Sequence, residues 1–357
     1  MREITYVQAI REATDICMAN DPRVFIIGEG VPDPKGIFGT TLGLREKYGH
    51  ARVMDMPVSE NGMTGICIGA AITGLRPVII HQRIDFGLYA MEQIINNAAK
   101  WHYMFNGQLN VPLVMRFVVG RGWGQGPQHS QNLQALFAHI PGLKVVMPST
   151  PYDAKGLLIS AIEDNNPVVF IEHRWLHHLK DKVPEGYYKV PIGKSKIIRN
   201  GNDVTIASTS YMTIEAIKAA DILNDFGIEP EIIDIRTLRP LDDEPIVNSI
   251  RKTNHLIVCD LGWKSGGFAS EIITRTIESS FHELKTAPKR ITSPDFPTPS
   301  TPALANYYYP LSTDIVREVL TILNRSEKEF KLLAKIEKEK YKNISLDQPD
   351  PSFEGPF

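Results

Sequence analysis

Short apolar runs of strand length alternate along this chain with longer segments in which apolar residues recur at helical spacing. In its first half the strand-like runs cover residues 24–28, 77–81, 112–119, 143–148 and 167–172. The helical spacing covers residues 5–19, 60–73, 89–104 and 151–163. The run from Pro112 to Val119 is apolar apart from Arg116, as is typical of a central strand in a parallel sheet covered on both faces. This alternation predicts an α/β fold with a mostly parallel, doubly wound sheet.

A second alternation begins after a stretch rich in Pro, Gly and Lys. Its predicted strands cover residues 204–208, 231–235 and 255–259, and its predicted helices cover 213–226, 243–252, 267–280 and 311–323. A chain of 357 residues is too long for one ordinary core. We therefore predict two doubly wound α/β domains, residues 1–180 and 202–325. A linker at 181–201 joins them, and a charged helix and polar tail at 326–357 follow.

Composition and charge exclude several classes of partner. The formal net charge is −2, which gives no electrostatic reason to expect nucleic acid or an anionic membrane as a partner. The most apolar run, residues 62–80, is interrupted by Arg76 and Pro77 and is too short to span a bilayer. Three widely separated cysteines without a C-x-x-C motif favour a reducing compartment over a disulfide framework. With no signal character at the first residues, we expect a cytoplasmic protein.

One short segment combines a strand end, a helix start and an acidic residue. Pro57 follows an extended segment, and Ser59 is a candidate N-cap for the helix that begins near Glu60. Gly65 and Gly69 place almost no side chain on one face of that helix, so another backbone could pack closely there. A carboxyl group with little room for water is suited to proton exchange. The alternative is that Glu60 only complements the helix dipole.

The loop after the strand at 112–119 is rich in glycine and ends near a histidine. Residues 120–126 read Gly-Arg-Gly-Trp-Gly-Gln-Gly, which lacks the G-x-G-x-x-G spacing of a dinucleotide site. We interpret the loop as a lid or as an ordinary strand-to-helix connection. His129 is a candidate acid or base because ligands of α/β sheets bind beyond the carboxyl ends of strands. The spacing of His173, His177 and His178 allows a metal site, but no carboxylate lies in register and we favour a structural role.

Several segments, taken in order along the chain, carry a family resemblance. They are Met56-Pro-Val-Ser-Glu60, Gly69-Ala-Ala-x-x-Gly-x-Arg-Pro77, Gln93-Ile-Ile-Asn-Asn-Ala-Ala-Lys100, Gln128-His-Ser-Gln131, Pro141-Gly-Leu-Lys-Val-Val146, Asp153-Ala-Lys-Gly-Leu-Leu158 and Asp234-Ile-Arg-Thr-Leu-Arg-Pro-Leu-Asp242. Together they resemble the β subunit of thiamine diphosphate-dependent 2-oxo acid dehydrogenases of the pyruvate, branched-chain and acetoin types. The resemblance covers about residues 3 to 325. It implies a pyrimidine-binding transketolase-like domain followed by a transketolase C-terminal-like domain.

The resemblance also implies roles for individual residues. Glu60 matches the glutamate that hydrogen-bonds the aminopyrimidine ring of thiamine diphosphate and exchanges a proton with it. Phe86 matches the aromatic residue stacked on that ring. His129 matches the histidine that faces the substrate and the incoming lipoyl group. Related subunits have a potassium site, so the resemblance implies a potassium site in this chain as well. It would be formed by the backbone carbonyls of four residues: Leu113, Ala161, Asp164 and Asn166.

The resemblance implies partners as well. The sequence has no Gly-x-x-x-x-Gly-Lys-[Ser/Thr] motif and no Gly-Asp-Gly turn followed by Asn-Asn. In this family the diphosphate and magnesium are held mainly by a separate α subunit, so the resemblance implies an α2β2 heterotetramer. A lipoyl acyltransferase is the further partner it implies.

The stretch before Phe86 departs from the family pattern. Residues 80–85 read Ile-His-Gln-Arg-Ile-Asp, and Gln82 lies where a methionine or other apolar residue is common, so that it is placed beside the cofactor. The leading hypothesis is decarboxylation of a 2-oxo acid with acyl transfer to lipoamide. The alternative is a two-chain enzyme of transketolase or acyloin type, since His81, Gln82 and Arg83 would suit a hydroxylated aldehyde acceptor. A catalytically inactive scaffold is a third hypothesis, which the presence of Glu60, Phe86 and His129 together disfavours.

Overall fold

A computed structural model describes residues 1–121, 124–342 and residue 346. Trp123, in the glycine-rich loop, and most of the predicted polar tail lie outside the described residues. The described residues form fourteen strands: β1 Arg2–Thr5, β2 Val24–Ile27, β3 Val53–Met54, β4 Arg76–His81, β5 Val114–Val119, β6 Lys144–Val146, β7 Val168–His173, β8 Lys180–Val183, β9 Lys196–Arg199, β10 Val204–Ser208, β11 Pro230–Asp234, β12 Thr237–Arg239, β13 Leu256–Trp263 and β14 Lys289–Ser293.

The helices of the described residues lie between these strands and after them. The α-helices are α1 Tyr6–Asn20, α2 Gly36–Gly39, α3 Leu44–Tyr48, α4 Glu60–Ile72, α5 Ile84–Gly87, α6 Trp101–Met104, α7 Gln134–His139, α8 Pro151–Glu163, α9 Tyr211–Asn224, α10 Glu244–Thr253, α11 Phe268–Ser280, α12 Pro302–Ala305, α13 Ser312–Ile322 and α14 Glu327–Lys340. Short 3₁₀ turns lie at Leu88–Ala90, Arg174–Leu176 and Phe281–Glu283. Across the described ranges, no helix combines the length and apolar content needed to cross a membrane.

Two sheets organise the described residues. The first sheet has seven strands in the order β12-β6-β7-β5-β4-β2-β3, all parallel except the antiparallel edge strand β12. The second sheet has the order β14-β13-β10-β11-β9, parallel except for β9. A small antiparallel pair joins β1 to β8. The structure therefore confirms the predicted α/β fold with two doubly wound sheets.

The cores of the two sheets are continuous. Successive residues of a strand point to opposite faces, so Ile26 and Val168 belong to one apolar cluster while Ile27 and Val169 belong to the other. Both clusters extend into the second sheet, where Ile232 and Ile233 divide in the same way. The two halves of the chain are thus packed as one body.

Local capping explains where two of the long helices begin. Thr5 accepts a hydrogen bond from the backbone N–H of Gln8 at 3.2 Å, and the Gln8 side chain accepts one from the backbone N–H of Thr5 at 2.8 Å, which makes a capping box for α1. Thr150 caps α8 in a similar way, and Pro151 occupies its first position. For α4 the predicted N-cap position is confirmed at Ser59, although the Ser59 side chain makes no capping hydrogen bond.

Three local features differ from the prediction. The helix expected at 89–104 is divided into the 3₁₀ turn, a π-helix at Gln93–Ala98 and α6. Within the stretch expected as a linker, β8 and β9 form and pair with other elements. The third is β12, which lies in the second half of the chain but pairs with β6 of the first sheet.

A buried polar network also holds the two halves together. Arg236 reaches Asp153 of α8 with an Nη1–Oδ1 distance of 2.8 Å, and both side chains are buried. Its backbone carbonyl accepts a hydrogen bond from the backbone N–H of Met147. Next to this pair, the hydroxyl of Ser149 donates to Asp234. This network fixes the second sheet against the loops that lead from the first.

Candidate active site

The candidate site lies at the carboxyl edge of the first sheet. β2, β4 and β5 are parallel neighbours, and the segments that follow them carry Glu29, Gln82 and His129 respectively. Open parallel sheets bind ligands beyond this edge, because the loops there converge while the strands hold them rigidly. Chain segments far apart in sequence are therefore placed around one region.

Glu60 is the first residue of α4 and is largely buried, with 7% of its surface exposed. No residue that the structure describes makes a hydrogen bond to its carboxyl group. The helix packs against the Leu88–Ala90 turn and the π-helix, which follow Phe86 closely in the chain. Gly65 permits this approach, since a Cβ atom there would lie 3.2 Å from Oε1 of Gln93. At Gly69 a Cβ atom would meet nothing within 4 Å, so that part of the small-residue face is open.

Glu29 is a candidate residue that the sequence reasoning missed. It follows the end of β2 and is half-buried, and burial, then the charges of Glu60 and Asp55, raise the pKa of its carboxyl group. Asp55 in turn accepts a hydrogen bond from the backbone N–H of Gly30 at 3.0 Å. The signal available in the sequence was its position directly after a buried strand. Glu60 is therefore close enough to Glu29 to affect the pKa of the Glu29 carboxyl group.

Phe86 and His129 come together across the site. Their ring centroids are 5.2 Å apart and the ring planes are nearly perpendicular, at 88°. Phe86 is half-buried, and His129 is exposed at the end of the loop after β5. An edge-to-face pair of this kind fixes the orientation of an otherwise free imidazole. Two residues further on, Gln131 donates a hydrogen bond to Asp85 at 2.8 Å, a link that no local sequence pattern predicts.

The polar residues before Phe86 do not form one continuous surface. His81 is buried and stacks on Phe117, with ring centroids 5.1 Å apart, and burial lowers its pKa to about 4. Arg83 is buried as well and donates to the carbonyl of Gly120 at 2.7 Å. Gln82 is half-buried, and its amide donates to the carbonyl of Glu29 at 3.0 Å. Of these three side chains, Gln82 alone is partly open.

Both described ends of the glycine-rich loop are held against other parts of the molecule. Arg121 is fully buried, donates to the carbonyl of Gln125 at 3.0 Å and also donates to the carbonyl of Ser300. Its own carbonyl accepts from Nε1 of Trp175 at 2.8 Å. A Cβ atom at Gly126 would lie 2.0 Å from Oγ of Ser300, so a larger residue would require the Ser300 side chain to move. Contacts to the second half of the chain thus position the segment that leads to His129.

Of the four residues of the predicted potassium site, Ala161, Asp164 and Asn166 lie in or just after the end of α8, and Leu113 directly precedes β5. Those of Leu113 and Ala161 accept backbone hydrogen bonds at 2.9 and 3.3 Å. The carbonyl of Asp164 accepts from Nη1 of Arg76 at 3.0 Å. Asn166 donates through its backbone and its side chain to Oδ1 of Asp164, which orders the turn. Because a carbonyl oxygen has two lone pairs, each of these three accepting carbonyls keeps one for a cation.

His173, His177 and His178 have separate environments. His173 stacks on Tyr211 with ring centroids 5.1 Å apart, and burial lowers its pKa to about 3. His177 stacks on Tyr6 at 6.0 Å. No group of three or more His, Cys, Asp or Glu side chains suited to a metal ion occurs among the residues described.

The chain matches two family models and a solved structure. Residues 2–178 match the transketolase pyrimidine binding domain, and residues 193–315 match the transketolase C-terminal domain. A solved structure titled as a split gene transketolase, an inactive β4 tetramer, superposes with a TM-score of 0.73, covering 90% of this chain and 98% of that one. At 21% identity this likeness shows the fold alone.

Curated relatives are much more similar in sequence. The chain is 42% identical to the β subunit of acetoin:2,6-dichlorophenolindophenol oxidoreductase of Bacillus subtilis, over 90% of this chain and 98% of the relative. It is 46% identical to the pyruvate dehydrogenase E1 component β subunit of Gracilaria tenuistipitata, over 84% of this chain and 93% of the relative. The family resemblance of the sequence is confirmed. The chain belongs to the transketolase-like family, as a β subunit of the thiamine diphosphate-dependent 2-oxo acid dehydrogenases.

Proposed function

We propose that this chain binds the aminopyrimidine half of thiamine diphosphate and, with an α subunit, transfers the acyl group of a 2-oxo acid to lipoamide. The observation that carries the proposal is the pairing of Phe86 with an exposed His129 beyond the sheet edge. One relative is named as an acetoin oxidoreductase subunit and another as a pyruvate dehydrogenase subunit, and these names support a small 2-oxo acid or a related ketone as substrate.

The residues present fit the cofactor. The carboxyl group of Glu60 is mostly buried and has no hydrogen-bond partner among the described residues. It is therefore available to form a hydrogen bond with a nitrogen of the aminopyrimidine ring. Phe86 offers a half-buried aromatic surface for stacking. Gln82 directly follows β4, and its side-chain amide donates a hydrogen bond to the backbone carbonyl of Glu29. When bound, thiamine diphosphate supplies a thiazolium carbon that stabilises the electrons released on decarboxylation.

Each of these residues has a defined task in the proposal. Glu60 holds and exchanges a proton with the ring nitrogen, and burial and the charge of Glu60 raise the pKa of the neighbouring Glu29 carboxyl group. Phe86 orients the ring. His129, exposed and fixed by its contact with Phe86, donates or accepts a proton at the acyl-transfer step.

The proposal includes an α subunit in an α2β2 assembly and a lipoyl acyltransferase that receives the acyl group. Two exposed apolar features support contact with other chains. Tyr103 and Met104 are 88% and 64% exposed on α6, and Ile66 is 61% exposed beside the open face at Gly69. Large exposed apolar side chains in such groups are typical of subunit interfaces. Magnesium would be held mainly by the α subunit, as in the family.

The alternative of a hydroxylated aldehyde acceptor has less support. It depended on a polar strip at His81, Gln82 and Arg83. The inward positions of His81 and Arg83 leave Gln82 as the single side chain of the three that a ligand could reach.

The test is a pair of assays on the chain co-expressed with an α subunit. Reduction of a free lipoyl domain by a 2-oxo acid is expected, together with reduction of an artificial electron acceptor. Transfer to an aldehyde without any lipoyl reduction would contradict the proposal. Isothermal calorimetry on the chain alone provides a control, since tight magnesium-dependent binding of the cofactor without the α subunit would contradict the division of the site between two chains.

We also propose that the carbonyls of Leu113, Ala161, Asp164 and Asn166 bind potassium. The hydrogen bonds from Asn166 to the Asp164 side chain, which order the turn after α8, support the proposal. Because binding to the folded state alone stabilises a protein, the midpoint of thermal unfolding should rise with potassium chloride. Sodium chloride at equal ionic strength is the control, and an equal rise in both salts would contradict a potassium site.

A further inference from the structure

One side chain–side chain hydrogen bond links the two segments that carry Phe86 and His129. Asp85 directly precedes Phe86, and Gln131 lies two residues after His129. Nε2 of Gln131 donates to Oδ1 of Asp85 at 2.8 Å, although the two residues are 46 apart in the sequence. The bond therefore spans the same gap as the ring pair whose centroids are 5.2 Å apart.

The environment of Asp85 is unusual for a carboxyl group. Asp85 is 6% exposed, and its Oδ2 atom has no hydrogen-bond partner among the described residues. Burial raises the pKa of Asp85, while the hydrogen bond from Gln131 and the charge of Arg83 act in the opposite direction. A buried polar group is costly unless it is bonded, so the hydrogen bond with Gln131 is worth more here than on the surface.

Each segment is also held by a local backbone hydrogen bond. On the first segment, the backbone N–H of Phe86 donates to the carbonyl of Arg83 at the start of the short helix α5. On the second, the backbone N–H of His129 donates to the carbonyl of Gly126. Neither of these bonds joins the two segments to each other. Arg83 joins them at the end of β5, where it donates to the carbonyl of Gly120 at 2.7 Å, and the Asp85–Gln131 bond joins them next to Phe86 and His129.

We propose that Asp85 and Gln131 form a clamp that sets the relative position of Phe86 and His129, and that both are positioning residues for acyl transfer. The role in acyl transfer rests on the proposed function, whereas the geometric role does not. Without the clamp, the loop after β5 can shift His129 relative to the ring on which the cofactor stacks. A misplacement of about 1 Å can reduce a rate on the order of 10²-fold.

The kinetic test uses four variants assembled with the α subunit. Asp85→Ala and Gln131→Ala should each lower kcat for lipoyl reduction by roughly 10- to 100-fold while KM for the 2-oxo acid changes little. The double variant should be no slower than the worse single variant, because one bond is lost in all three. Asp85→Asn should stay close to wild type, since its carbonyl still accepts from Gln131. Additive losses in the double variant, or an Asp85→Asn variant as slow as Asp85→Ala, would overturn the clamp.

A control separates the clamp from general damage to the loop. Gln128 is an exposed amide next to His129, and Gln128→Ala should leave both activity and thermal unfolding unchanged. A loss in Gln128→Ala equal to that in Gln131→Ala would show that any change in this segment impairs the enzyme and would overturn the assignment.

A structural readout does not depend on the proposed function. Crystal structures of the full chain should keep the Phe86–His129 pair in Asp85→Asn and show the two rings separated in Asp85→Ala. An unchanged ring pair in Asp85→Ala would overturn the clamp even if activity fell. Absence of lipoyl reduction in the wild-type assembly would instead contradict the proposed function and leave this geometric test valid.

Discussion

A fully buried ion pair in the first sheet provides the sharpest test of how this fold is stabilised. Arg116 on β5 and Glu172 on β7 project to the same face of neighbouring strands, with 2.6 Å between Nε and Oε1. Neither side chain has any exposed surface. Burial acts to raise the pKa of Glu172, but the charge of Arg116, the hydrogen bond that Arg116 donates and the neighbouring His177 outweigh it, so the pKa of the carboxyl group is lowered.

The size of the effect follows from leaving one charge without its partner. Glu172→Leu would bury the Arg116 guanidinium unpaired, and Arg116→Met would do the same to the Glu172 carboxylate. Each should lower the free energy of unfolding by about 3–5 kcal/mol, whereas replacing both by apolar side chains of similar volume is often close to neutral. The double variant should therefore be more stable than either single variant, with a coupling of at least about 3 kcal/mol.

Hydrogen exchange of the β5 and β7 amides, measured by mass spectrometry, is the suitable assay. It reports the free energy of opening for this sheet whether or not the second sheet opens with it. Glu327→Gln is a matched control, because Glu327 forms an ion pair with Lys331 at 2.8 Å in which both side chains are largely exposed, and its removal should have no measurable effect on the sheet. Additive losses in the double variant would refute the reasoning, since they would mean that each residue stabilises the sheet independently of the other.

Three further predictions concern the site and the fold. Glu60→Gln should reduce turnover ~10²–10⁴-fold without affecting assembly, because an amide cannot exchange the proton; near-normal activity would leave Glu60 as a helix-start residue only. Burial and then the charge of Asp153 raise the pKa of the Asp234 carboxyl group from 3.8 to about 7. Between these two values the folded state keeps a proton that the unfolded state has lost. The stability that this proton contributes is therefore full below the unfolded pKa and is lost as the pH rises through the folded pKa. Asp234→Asn should therefore stabilise the protein on the order of 2–4 kcal/mol more at about pH 8 than at about pH 5 in urea unfolding, and an equal effect at both values would contradict it. Gly142 has φ of 99°, and a Cβ atom there would lie 1.9 Å from the carbonyl oxygen of Ala99, so Gly142→Ala should lower the thermal midpoint much more than Gly49→Ala, whose Cβ would meet nothing within 4 Å.

The sequence by itself determined the order and type of the main strands and helices of the two sheets. The predicted helix at 151–163 coincides with α8, because Thr150 caps it and Pro151 suits its first position. The run before Val119, apolar apart from Arg116, became the central strand β5, because a strand covered on both faces has no solvent-facing side that would require alternating polar residues. The family segments placed Glu60 at the first position of α4. These features depend on neighbours within a few residues, so local pattern is sufficient for them.

The tertiary structure decided which residues meet. A helical period of 3.6 cannot distinguish an α-helix from the π-turn at Gln93–Ala98, which forms where that segment packs against Gly65. β12 is three residues long and joins the first sheet through its pairing with β6, which no local pattern encodes. The division of the polar strip follows from packing between neighbouring strands, since His81 lies opposite Phe117 in the register. The meeting of Phe86 with His129, and of Asp85 with Gln131, depends on which strands are neighbours in the sheet, and that is a property of the whole chain.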